Sequence, residues 1–100
     1  MNRLLLTALV IGSLGAVGVA NAAGDAAAGK AKAEACAGCH GATGGGTQMG
    51  PKIAGMAPAA FTQAMDGFKS GKGNAMMVMQ AKPLSDADIA NLAAYYATLH

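Results

Sequence analysis

The two cysteines of this 100-residue chain stand at 36 and 39, and a histidine follows at once, in the run Cys36-Ala37-Gly38-Cys39-His40. On a helical turn, residues three and four apart share a face, so these three side chains can act on one object. A disulfide between the cysteines would close a very small loop and would constrain the unfolded chain little. The pattern has a better chemical use. Two thiols at this spacing can add to the two vinyl groups along one side of a porphyrin, with the next residue turning its imidazole toward the metal. C-x-x-C-H is the attachment pattern of haem c, and a neutral imidazole is a normal proximal ligand of haem iron. Three other uses compete. A thioredoxin-like C-x-x-C calls for a βαβ setting, and no alternating stretch here is long enough for a strand. A zinc site needs a fourth ligand, and the only other histidine is the terminal His100. An incidental pair of cysteines would have no reason to fall with a histidine inside one five-residue pattern.

The start of the chain is an address. Asn2 and Arg3 give a polar, positive beginning, residues 4–19 are apolar or small without charge, and Ala20-Asn21-Ala22 supplies small residues for a signal peptidase. Residues 1–22 are therefore expected to be a secretory signal cut before Ala23. The alternative is a retained membrane anchor, which the Gly and Ala content of a barely sufficient apolar run weakens. Residues 23–100 then make one domain of 78 residues. A chain so short buries a limited fraction of its surface, and its aromatics are only Phe61, Phe68, Tyr95 and Tyr96. A large apolar cofactor would supply the missing core. The six lysines and five acids of this segment leave a charge of +1, with no basic stripe, so nucleic acid is not an expected partner.

Local signals predict an all-α domain of three main helices. The first runs from about Ala26 to Cys36, with Asp25 as N-cap. Glycines at 41, 44, 45, 46, 50 and 55 make the following stretch a loop. The second helix starts near Pro58, repeats Phe61, Met65 and Phe68 at helical spacing, and stops at Gly71. Lys72 to Leu84 reads as irregular and rich in Met. Ser85 caps the third helix, with Asp88 completing an acidic capping box, and Ile89, Leu92, Ala93 and Tyr96 form its apolar face.

A ligating histidine needs a partner that fixes its ring. Pro51 lies 11 residues after His40, across the Gly-rich loop, and its carbonyl is the candidate acceptor for the second ring nitrogen. An ordinary loop proline is the competing reading. The glycines at 44–46 lack the lysine and the helix start of a phosphate loop, and nothing else in the chain has a catalytic pattern.

The runs CAGCHG, GPKIAG and LSDADIANLAAYYA, the last preceded by a Met-bearing loop, resemble the small class I bacterial cytochromes c. They are similar to the single-haem kind and to each half of the two-haem periplasmic kind. The resemblance implies the class I cytochrome c fold, in which the N- and C-terminal helices cross beside one covalently bound haem c. It also implies a methionine as sixth iron ligand. In that family the ligand commonly lies eight residues before the capping serine, which is Met77 here; Met79 and Met76 are the alternatives. Met49, Met56 and Met65 read as packing residues. Many relatives carry an aromatic on the first helix where this chain has Ala33, which implies a closer helix approach with Tyr95 or Tyr96 filling the space.

The function implied is that of a periplasmic one-electron carrier with His40/Met77 ligation, and not an enzyme. Its expected redox partners are transient, and the protein is a monomer or weak dimer, off the membrane once the signal is removed. Lys52, Lys69, Lys72 and Lys82 are candidates for the docking rim, and ordinary solvated lysines are the competing reading. Three other functions stand beside it: a haem c subunit of a larger oxidoreductase, a ligand-binding or sensor protein with a labile Met, and a copper binder suggested by Met76 to Met79.

Overall fold

The computed structural model describes residues 24–100. The candidate signal at 1–22 and its cleavage point lie outside those residues. Asp25 opens helix α1 (Ala26–Lys32) by accepting from the amides of Ala27 and Ala28 at 2.9 and 3.3 Å. The helix does not continue unbroken to the cysteines. At Ala33 the amide of Cys36 bonds to the Ala33 carbonyl at 2.8 Å, a tighter three-residue step, and α2 (Glu34–His40) begins there. Helix α3 (Pro58–Lys69) has proline in its first turn, α4 spans Ala75–Ala81 and α5 spans Asp86–Ala97. Among the described residues the only β feature is an isolated bridge between Thr47 and Gly50.

Helix α4 corrects the reading of Lys72 to Leu84 as irregular. Gly71 and Gly73 both adopt positive φ and do break the chain. Asn74 then restarts it, its side chain accepting from the amides of Met76 and Met77 at 2.9 and 3.2 Å. Asn caps as well as Ser or Asp, and Ala, Met and Gln propagate a helix readily. At α5 the capping box is complete, with Ser85 and Asp88 exchanging hydrogen bonds at 3.0 Å each way. The Ser85 amide, chiefly, holds the Asp88 carboxyl below its usual range. The carboxylate half of this cap therefore contributes fully at neutral pH, and its contribution is lost as pH falls through that lowered value.

The core is small: Ala33, Phe61, Met65, Ala81, Ile89, Leu92, Ala93 and Tyr96. Phe61 and Tyr96 stack with ring centroids 5.7 Å apart, which joins α3 to α5. Helix α1 lies along α5, α3 packs on α5, and α4 lies beside α3 alone among the helices described. The α1–α5 approach is close because Gly29 has no side chain: a Cβ there would stand 2.0 Å from the Asn91 carbonyl oxygen and 2.9 Å from Tyr95 Cβ. Backbone is what it would strike, so the clash cannot be relieved by a rotamer change. Replacing a helix-interior Gly by Ala ordinarily gains up to ~1 kcal/mol, whereas overpacking costs ~1–3 kcal/mol. Gly29→Ala is accordingly expected to lower the thermal midpoint. Gly67→Ala in α3, where nothing lies within 4 Å of the added carbon, is expected to hold or raise it. Thermal melts of the two variants check this, and a raised midpoint in both would remove the close-packing argument.

Candidate haem-binding site

Helix α2 carries Cys36, Cys39 and His40 within its last five residues. Its C-terminal carbonyls are then taken up by the Gly-rich loop, which is how the loop comes to lie on the histidine. Gly41, at φ +93°, turns the chain and donates to the Ala37 carbonyl at 2.9 Å. Gly46 N–H donates to the His40 carbonyl at 2.7 Å. The Thr47 hydroxyl donates to the Cys39 carbonyl and accepts from the Met49 amide at 3.0 Å. Thr47 N–H donates to the Gly50 carbonyl at 2.8 Å, and this small ring delivers Gly50 and Pro51 onto the imidazole.

Gly50 is there because nothing larger fits. An added Cβ would stand 2.9 Å from the Cys39 carbonyl oxygen and 3.0 Å from both Cε1 and Nδ1 of His40. The Pro51 carbonyl oxygen then lies 2.8 Å from His40 Nδ1. A carbonyl can only accept, so Nδ1 carries the proton and Nε2 is left with its lone pair. His40 is 7 % exposed, so its orientation is set by packing and by this one bond. That is the tautomer and geometry a metal-bound imidazole requires.

Neither cysteine is in a disulfide, and both are half-buried. Cys36 packs against the core. Before any attachment, burial pushes its thiol pKa up. Burial also raises the pKa of the Tyr96 phenol. Among the described residues no three His, Cys, Asp or Glu side chains converge as a metal site would need. Cys36, Cys39 and His40 therefore do not close on a single ion, which is wrong for zinc. Two thiols and an imidazole set apart on one turn fit a flat group attached at two points along one side and ligated at its centre.

The methionines separate by burial. Met76 and Met79 are 62 % and 70 % exposed, and Met49 is 75 % exposed. Met77 is half-buried and packs on the same core cluster as Cys36. Of the four lysines, Lys52, Lys72 and Lys82 are exposed, but Lys69 is half-buried and donates to the Leu84 carbonyl. The sequence reading missed Thr47 and the bond made by Lys69. Both act across 8 to 15 residues of chain, and no local signal marks them.

The family model for the cytochrome c oxidase, cbb3-type, subunit III matches residues 22–95. Cytochrome c4 of Pseudomonas aeruginosa is 44% identical over 100 residues, covering 98% of this chain and 49% of that protein. Cytochrome c-554(548) of Halomonas halodenitrificans is 40% identical over 81 residues, covering 76% of this chain and 98% of that one. Among solved structures, reduced recombinant cytochrome c4 from Pseudomonas stutzeri superposes with a TM-score of 0.72 at 30% identity, covering 78% of this chain and 47% of that chain. The chain thus spans about half the length of the cytochrome c4 relatives it matches.

Proposed function

Because this chain belongs to the class I c-type cytochromes and carries one covalently attached haem c, we propose that it is a periplasmic one-electron carrier with iron held between His40 and Met77. Cys36 and Cys39 form the thioethers, and the Pro51 carbonyl orients His40. The observation that carries this reading is the 2.8 Å contact between His40 Nδ1 and Pro51 O, which leaves Nε2 alone to ligate. Met77 is supported by its half-buried packing on the core, beside two methionines that face solvent. Held by His40 and Met77, haem c would supply a one-electron iron couple, and two protein ligands would favour electron transfer over oxygen chemistry. A thioether in place of a second imidazole sets the couple at higher potential.

Residues 1–22 are a secretory signal and 23–100 the cytochrome domain in this reading. Among the described residues no helix is long and apolar enough to cross a membrane. Expressed with export, the protein should have the mass of residues 23–100 plus one haem, and acid–acetone should leave the colour on the protein. The reduced form should be six-coordinate and indifferent to carbon monoxide. An apoprotein mass with residues 1–22 intact, or a reduced form that binds carbon monoxide readily, would overturn the export or the carrier reading respectively.

Transient redox partners dock weakly, and exposed charge acts mainly on their association rate. Lys52, Lys72 and Lys82 are free to steer an acidic partner; Lys69 is already committed to Leu84. Electron-transfer rates with such a partner should fall as salt is raised, and less steeply in Lys52→Gln, Lys72→Gln and Lys82→Gln. Rates indifferent to salt in every variant would assign docking to apolar contact instead.

A further inference from the structure

Helix α4 carries the candidate sixth ligand, yet it is short and lightly supported. It has seven residues, lies beside α3 and no other helix, and fully buries only Ala81. Met77 adds a half-buried side chain, while Met76 and Met79 face solvent. A seven-residue helix has little stability of its own, so its position must be imposed from its two ends.

The N-terminal end is tied locally. Asn74 caps it, and Gly73 sits so close to Phe68 that an added Cβ would come within 2.9 Å of the ring. The C-terminal end is tied across the fold. Lys82 and Pro83 follow the helix, the Leu84 amide donates back to the Ala81 carbonyl at 3.0 Å, and the Leu84 carbonyl accepts from the Lys69 ammonium. Lys69 is the last residue of α3, and Leu84 directly precedes the Ser85 cap of α5. One half-buried ammonium therefore joins the end of α3, the end of α4 and the start of α5. It spends its charge on a backbone carbonyl and not on a carboxylate, which is a use that holds a chain segment in place.

We propose that Lys69 is a positioning residue for the sixth iron ligand: by holding the Leu84 carbonyl it fixes the C-terminal end of α4 and, through it, the Met77 side chain. This rests on the Met77 reading above. An added ligand for the ferric iron must displace the methionine. Its apparent affinity therefore rises in proportion to the fraction of molecules in which the methionine has let go.

The test uses the intact holoprotein and imidazole as the competing ligand, with binding to the ferric form followed by the visible spectrum. Lys69→Met keeps the apolar stem and its packing but removes the donor. It should lower the imidazole midpoint about five- to tenfold, as expected for loss of one partly exposed charge-assisted hydrogen bond. Lys69→Arg, which can still donate to one carbonyl, should restore most of the wild-type midpoint. A merely structural role at the end of α3 would lower the unfolding midpoint of Lys69→Met and leave the imidazole midpoint where it is; that outcome overturns the proposal. Met77→Ala is the control for the underlying reading. If it fails to remove the weak long-wavelength ferric absorption of iron–thioether bonding, the Met77 assignment falls. The clamp then stands or falls on Lys69→Met alone: a lowered midpoint means it holds α4 for another of that helix's methionines, and an unchanged one refutes it.

Discussion

Replacing both Cys36 and Cys39 by alanine should give an exported protein that lacks covalent haem and lacks a cooperative fold. The reason lies in what the chain buries by itself. Among the described residues nine hydrophobic ones are buried, and four of them are alanines, leaving Phe61, Met65, Ile89, Leu92 and Tyr96 as the large ones. Domains of this length are marginal even with a good core. Around that core stand Cys36, Ile53, Met56, Phe68, Met77 and Leu84, packed against it yet only half covered. An apolar macrocycle attached at Cys36 would give those residues the cover they lack, at ~25 cal/mol per Å² of apolar surface withdrawn from water. Each single cysteine variant should keep haem through the remaining thioether and His40. Mass spectrometry after acid–acetone and far-ultraviolet circular dichroism melts check both statements. A double variant that is colourless and still melts cooperatively near the wild-type temperature would show that the protein side chains suffice.

Met77→Ala should abolish the weak ferric absorption at the red end of the visible and open the reduced iron to carbon monoxide. It should also lower the reduction potential, by on the order of 0.1 V or more within the ~0.8 V that axial ligands command. The physical basis is the separation of the methionines by burial. Met76 and Met79 point away from the core at 62 % and 70 % exposure, so their truncation should leave the spectrum alone and change stability by no more than ~0.5 kcal/mol. Met77 packs inward, so its truncation should cost ligation and some packing together. Loss of the band in Met79→Ala with retention in Met77→Ala would transfer the ligand to Met79 and refute the eight-residue spacing to Ser85.

Helix starts were legible because caps are local chemistry. Asp25, Pro58 and the Ser85–Asp88 pair each act within three residues of themselves, and each opens a helix where the sequence placed it. The apolar face of α5 was legible for the same reason, and Ile89, Leu92, Ala93 and Tyr96 are all 2 % exposed or less. Helix α4 was obscured by the glycines before it, although its signal, Asn74 ahead of Ala75 and Met76, was present. The close α1–α5 approach was suggested by the missing aromatic at Ala33. Its cause at Gly29 was not visible, because a glycine inside a run of alanines and lysines looks like a defect until the Asn91 carbonyl is seen against it.

The attachment pattern was legible in the sequence by itself: two thiols and an imidazole within five residues are a short-range pattern, and a helical turn is enough to align them. The chain's small size and few large side chains also gave reason to expect an apolar group completing the core. Tertiary structure alone decided which ring nitrogen of His40 is engaged and which is left open, because that depends on bringing the Pro51 carbonyl back across a loop of glycines to 2.8 Å. It alone distinguished Met77 from its neighbours, since three methionines within four residues differ only in which of them the fold turns inward. It alone showed Lys69 reaching Leu84, 15 residues away. Contacts of that range depend on how the helices are stacked, and no local propensity records them.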